Sequence, residues 1–284
     1  MIAHAGRQVP VDVFAVPGRP RPPGLVLVHG LAPRGKDDPR LREAAALLAR
    51  LGWDVAVPTV DGLTRFRLRP EDADAVSAAV IALVSERYRA VAVLGVSVGA
   101  GPALLAPERL RRVLAPSPVR AVLAIGGYAS APELLRYALT GAFAFEDVQG
   151  RRPPDDDAIR QFAVANPELM GGAGAALVAN RDPARFDALL AALDPGTRGL
   201  LERLSPEGRL RALRARLFLV HGRGDPAVPF TETLRLAHAA RAAGQPVRAA
   251  VVGAIAHVEG ERAFGALDLA RMWATVHAFR SSTR

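Results

Sequence analysis

Seven short apolar runs punctuate the chain, at Val11 to Val16, Leu25 to His29, Asp54 to Pro58, Ala90 to Gly95, Ala121 to Gly127, Leu217 to Gly222 and Val247 to Gly253. Several of them, LVLVH, AVAVLG and LFLVHG, stay apolar without alternating. A strand with one wet face alternates; a strand that is apolar throughout is covered on both faces, which is the condition of a parallel sheet flanked by helices. Helical patterns fill the gaps. Asp38 can cap a helix whose first residue is Pro39, with Leu41, Ala44, Ala45, Leu48 and Leu51 on one face and Gly52 at its end. A second helix is predicted from about Glu71 to Tyr88, and the last two from Phe230 to Ala243 and from Glu259 to Phe279. The chain of 284 residues, 50% apolar and 23% charged, has the means to bury one large core.

The alternation of strand and helix stops after Gly127 and resumes at Leu217, a stretch far longer than the dozen or so residues that a crossover needs. Helical patterns at Ala131 to Phe143, Asp155 to Ala165 and Pro183 to Leu193 predict an inserted helical cap over 128–210, with the core formed by 1–127 and 211–284. Breaks fall at Arg152-Pro153-Pro154, Met170-Gly171-Gly172 and Asp194-Pro195-Gly196. The expected fold class is therefore α/β, a mostly parallel, doubly wound sheet with a helical cap.

The strongest chemical signal is Gly95-Val96-Ser97-Val98-Gly99, set between the strand AVAVL and a helix. By composition a G-x-S-x-G would arise by chance about 0.07 times in such a chain, before the strand-to-helix context is required. A serine on so sharp a turn is held in a strained backbone conformation, and bulk two residues to either side would collide. Here the sequence resembles the α/β-hydrolase family, whose order is nucleophile, then acid, then histidine. Leu217-Phe-Leu-Val-His-Gly-Arg-Gly-Asp225-Pro-Ala-Val-Pro229 is similar to the family's acid-bearing segment, which puts Asp225 at the acid position. The histidine of the loop after the final strand would be His257, although Ala256 replaces the glycine often found before it. Leu25-Val-Leu-Val-His29-Gly30-Leu31 resembles the family's oxyanion-hole strand end, with the backbone N–H groups of Leu31 and Val98 as the implied donors.

The resemblance implies a serine hydrolase of a small, ester-like substrate, working through an acyl-enzyme without a cofactor. Thioester, peptide and carbon–carbon hydrolysis and acyl transfer use the same three residues, and a non-catalytic binder could keep the fold. Ser97 argues against the epoxide and haloalkane chemistry of relatives with an aspartate at the elbow. The remaining histidines read as structural: His29 and His221 as buried supports at strand ends, His238 and His277 within helices, His4 near the terminus.

Composition narrows the alternatives. With no cysteine, disulfides, thiolate metal sites and cysteine nucleophiles are all removed, and the histidine spacing suits no metal. The net charge of +9 invites a nucleic acid, but the arginines are scattered among acids, and Lys36 is the only lysine, so none is expected. Lys36 and Arg34, in the loop after the second run, read as solvated charges. The longest uncharged stretch, Ala90 to Pro107, is interrupted by Gly95, Gly99, Gly101 and Pro102, which predicts no membrane span. The opening residues lack the basic cluster and apolar run of a signal peptide, so the expected location is cytoplasmic.

Overall fold

The computed structural model describes residues 1–4, 6–18, 22–86, 88, 90–111, 113–253 and 266–282. The chain begins with a two-stranded ribbon, β1 (Ile2–His4) and β2 (Arg7–Val9), and then β3 (Val11–Phe14). The α/β alternation follows as β4 (Gly24–Val28), α1 (Pro39–Arg50), β5 (Asp54–Pro58), α2 (Asp61–Thr64), α3 (Asp72–Glu86), β6 (Val91–Val96), α4 (Ala100–Leu110) and β7 (Val119–Ile125). An excursion contains α5 (Ala131–Thr140), the hairpin strands β8 (Ala142–Phe145) and β9 (Val148–Arg151), α6 (Asp156–Ala165), α7 (Gly172–Ala179), α8 (Pro183–Ala191) and α9 (Pro195–Arg203). The chain then returns through β10 (Arg216–Gly222), α10 (Thr231–Ala242), β11 (Val247–Val252) and α11 (Ala266–Ser281).

The main sheet has seven strands in the order β11-β10-β7-β6-β4-β5-β3, all parallel except β3, which runs antiparallel to β5 at the edge. Its alternate residues feed two cores. Leu25, Leu27, Val55, Val57, Leu123 and Phe218 pack with Ala45 and Ala49 of α1 and Phe279 of α11. Val26, Val28, Val93, Val122 and Leu219 pack with α3, α4 and α10 through residues such as Val76, Leu104 and Leu236. Both faces are thus covered, and the unalternating runs are explained by burial of each face at 25 cal/mol or so per Å² of apolar surface.

The expected cap at Asp38 holds. Asp38 accepts the Arg40 N–H at 3.0 Å, and Asp155 accepts from Asp157 and Ala158. The excursion differs from its expectation in three places. Helix α5 stops at Thr140 because Gly141 turns left-handed at φ 72°, and the next residues form a hairpin instead of more helix. Gly172 starts α7, where a break was expected, and Asp194 is not a simple break but the cap of α9, accepting the Thr197 N–H at 3.0 Å. The excursion has its own core of Leu139, Ile159, Leu177, Val178, Phe186 and Leu193, while its ends, including Tyr128 and Leu210, join the core of the sheet.

Candidate active site

The site is assembled at the carboxyl ends of the parallel strands, where ligands bind in open α/β sheets. Val96, Ile125 and Val220 form one row across β6, β7 and β10, so the loops that leave these strands emerge side by side. Strands lie about 4.8 Å apart, which puts the ends of β6 and β10 roughly 10 Å from each other.

Ser97 follows β6 directly and opens the single turn that leads into α4. Its φ is 53°, a left-handed conformation, between Val96 in extended geometry and the turn. The crowding is on both sides. A Cβ on Gly95 would lie 2.7 Å from the Ala100 Cα, and one on Gly99 would overlap the carbonyl oxygen of His29. Any side chain at either place would force the turn open. The loop after β4 runs against the serine as well: a Cβ on Gly30 would be 3.1 Å from the Ser97 Cβ and 3.6 Å from its Oγ. Leu31, next in that loop, is exposed, and Val98 is buried at the start of the turn.

Asp225 is buried in the loop between β10 and α10. Its Oδ1 accepts the N–H groups of Ala227 at 2.8 Å and Val228 at 3.1 Å, a turn closed by the carboxylate itself. Oδ2 faces Gly126, the residue after β7, whose φ of 62° curls the backbone aside; a Cβ there would come within 3.1 Å of that oxygen. His257 lies outside the described residues.

The two strand-end histidines support loops, as expected. Val60 N–H donates to His29 Nε2 at 3.0 Å, so the proton sits on Nδ1, which donates to Gly30 O at 2.7 Å. Burial holds the His29 pKa below the usual value, favouring this neutral form. His221 has no exposed surface; Nε2 lies 3.0 Å from the Val228 carbonyl, which can only accept, and Nδ1 meets the Thr233 hydroxyl at 2.7 Å. Its Nε2 is also 3.5 Å from Asp225 Oδ2. His238 meets Glu146 on an exposed surface, and His277 stacks on Trp273 along α11. Lys36 pairs with Asp12 and Asp37.

Residues the sequence did not single out hold the acid loop from the excursion. The Arg152 guanidinium donates from Nη1 to the carbonyls of Gly224 at 2.8 Å and Asp225 at 3.0 Å. Tyr137 donates its hydroxyl to Pro226 O at 2.9 Å, and burial, the largest influence on it, raises its pKa and keeps that proton in place. Glu232 of α10, fully buried, accepts the N–H groups of Ala129 and Ser130 through Oε2, fixing the start of the excursion. Of the aromatic residues in the excursion, Tyr128 is fully buried in the core of the sheet and donates to Leu204 O. Phe143 lies between Tyr137 and Phe230, and Phe162 packs on the excursion's own core. Among the described residues no group of three or more His, Asp or Glu could hold a metal ion, and no helix is long and apolar enough to cross a membrane.

No family model matches the chain, and no curated protein matches it. Solved structures do. A puromycin-hydrolysing peptidase of Mycobacterium tuberculosis aligns over 98% of this chain with a TM-score of 0.63 at 21% identity, and the match covers 37% of the peptidase. A bacterial brefeldin A esterase aligns over the whole chain and 74% of its own, with a TM-score of 0.60 at 19% identity. The meta-cleavage product hydrolase of Pseudomonas fluorescens aligns over the whole chain and 97% of its own, with a TM-score of 0.54 at 14% identity. The chain spans about two fifths of the length of the peptidases it matches, which are covered to 37% and 40%. These proteins share the α/β-hydrolase fold, and at such identities the likeness is one of fold. The chain has the α/β-hydrolase fold.

Proposed function

We propose that this protein is a serine hydrolase that cleaves a carboxylic ester of a small molecule, with Ser97 as nucleophile, His257 as base and Asp225 as the acid that orients it. The observation that carries the reading is Ser97 at φ 53° on a turn so tight that Gly99 abuts the His29 carbonyl. A strained, sterically closed turn that lifts one hydroxyl off a sheet edge has a chemical use and no packing use. The acid two strands away supports it, since the roughly 10 Å between the strand ends leaves room for an imidazole hydrogen-bonded at both nitrogens between the serine and aspartate side chains. Among the described histidines, both ring nitrogens of His29 and of His221 are occupied, and His238 and His277 are engaged elsewhere. His257 is the candidate in the connection from β11.

In the proposed cycle the Ser97 Oγ attacks the ester carbonyl carbon while its proton passes to His257. The carbonyl oxygen takes the negative charge and is held by the N–H groups of Leu31 and Val98, the second also favoured by the positive end of α4. Collapse breaks the bond to the alcohol, which leaves with the proton from His257; water, deprotonated by the same imidazole, then releases the acid and restores the serine. The segment 128–210 serves as a cap over this site, and no cofactor enters the cycle.

A fluorophosphonate probe and a panel of aryl esters, thioesters and anilides test the reading together. Wild-type protein should be labelled once per chain and turn over the esters fastest, and Ser97→Ala should lose both activities while keeping its circular dichroism. Labelling that survives in Ser97→Ala refutes the nucleophile, and faster turnover of thioesters or anilides refutes the ester.

A further inference from the structure

We infer that Arg152 is a positioning residue for this reaction, acting on Asp225 through the backbone of the acid loop; the inference rests on the reading of Asp225 as the acid. Arg152 belongs to the excursion, directly after β9, and reaches a loop more than seventy residues further along the chain. Its own backbone is fixed first. The Arg152 N–H donates to Gly141 O at 3.0 Å, and Gly141, at φ 72°, has no room for a Cβ against the Arg152 carbonyl. From that anchor the guanidinium spans successive carbonyls: Gly224 at 2.8 Å and Asp225 at 3.0 Å from Nη1, and Arg223 at 3.5 Å from Nη2. Tyr137 takes the next, Pro226, at 2.9 Å. Four consecutive carbonyls are thus held from outside, while the Asp225 carboxylate closes its own turn on Ala227 and Val228.

The chemistry explains why an arginine stands there. Carbonyls on a loop at a sheet edge can be solvated by water, which leaves the loop free to shift; a planar guanidinium with several donors fixes their relative directions at once. The acid must hold an imidazole to within a fraction of an ångström, and a misplacement of about 1 Å costs about a hundredfold in rate. The acid's geometry is therefore set by the excursion as well as by the sheet.

The test measures kcat and KM for an aryl ester in wild type, Arg152→Ala, Arg152→Lys and Arg151→Ala, with active sites counted by fluorophosphonate titration so that only competent molecules are compared. Arg151 is a fair control because its guanidinium donates to Thr140 O and Arg181 O, within the excursion. Arg152→Ala should lose about a hundredfold in kcat per titrated site at nearly unchanged KM. Millimolar guanidinium should restore part of it, and Arg152→Lys, which keeps one donor group, should lose only about tenfold. Arg151→Ala should keep its turnover per site. Wild-type kcat per site in Arg152→Ala overturns the inference, as does an equal loss in Arg151→Ala, which would mean general loosening. Should Arg152→Ala fail to fold, Arg152→Lys decides: a tenfold loss of kcat supports positioning, and wild-type kcat refutes it. Asp225→Asn is measured alongside; full turnover there would refute the acid assignment itself, a failure separate from that of Arg152.

Discussion

Ser97 occupies a conformation that costs an L-residue about 1–2 kcal/mol, and the fold keeps it there by surrounding it with contacts that leave no other path for the chain. That strain is measurable. Glycine tolerates φ 53° without penalty but has about 0.5–1 kcal/mol more unfolded-state freedom to lose than alanine. Ser97→Gly is therefore expected to be more stable than Ser97→Ala by about 0.5–1 kcal/mol in urea denaturation, with both inactive. A Ser97→Ala variant more stable than Ser97→Gly by about 0.5–1 kcal/mol would show that no strain is stored at this residue. The histidines illustrate the same scale: His29 and His221 are legible as strand-end supports because each stands at the end of an apolar run before a glycine, yet their tautomers follow only from partners such as Val60 and Thr233.

At the scale of elements, the connection from β5 to α3 turns on Asp72, which accepts the Gly62 N–H at 3.1 Å and the Arg69 N–H at 2.8 Å. Burial, only partly offset by those bonds, raises its pKa from 3.8 to about 6. The folded protein therefore binds this proton more tightly than the unfolded chain does. The contribution is fully present below pH 3.8 and is lost as pH rises through about 6. The change is worth about 3 kcal/mol at most. Asp72→Asn removes the titration, so the variant should gain stability relative to wild type as pH rises across that window, read from denaturation curves at a series of pH values. A flat difference would show that Asp72 does not titrate there. The hairpin of β8 and β9 shows what element-scale reading misses. Its turn, Glu146-Asp147, has no glycine, although Glu146 sits at φ 51°, so the usual marker of a hairpin is missing and Ala142 and Phe143 read as more helix. By contrast, Asp38 was legible as a cap because a cap is decided within three residues.

For the whole molecule, the excursion is neither a separate body nor a simple extension. Its centre packs on itself around Phe186, but Tyr128, Ala131, Leu204 and Leu210 are buried with the sheet's helices. Replacing all of 128–210 by a short linker should therefore give insoluble protein, whereas replacing 132–203 should leave a soluble sheet that has lost turnover along with Arg152. Size-exclusion chromatography and circular dichroism of the two deletions check this. A soluble, folded 128–210 deletion would show that those buried ends are dispensable.

The sequence by itself determined the features whose physics is short in range. Unalternating runs mean strands covered on both faces, G-x-S-x-G between strand and helix means a crowded turn, and Asp38 before Pro39 and an apolar helical face means a cap. Tertiary structure alone decided what depends on packing between distant segments. The order of the strands put the ends of β6, β7 and β10 in one row, the curl at Gly126 turned toward Asp225, and Arg152 met carbonyls more than seventy residues away. A hydrogen bond is set by a few tenths of an ångström between its partners, and across such a distance along the chain only the packed core fixes that separation.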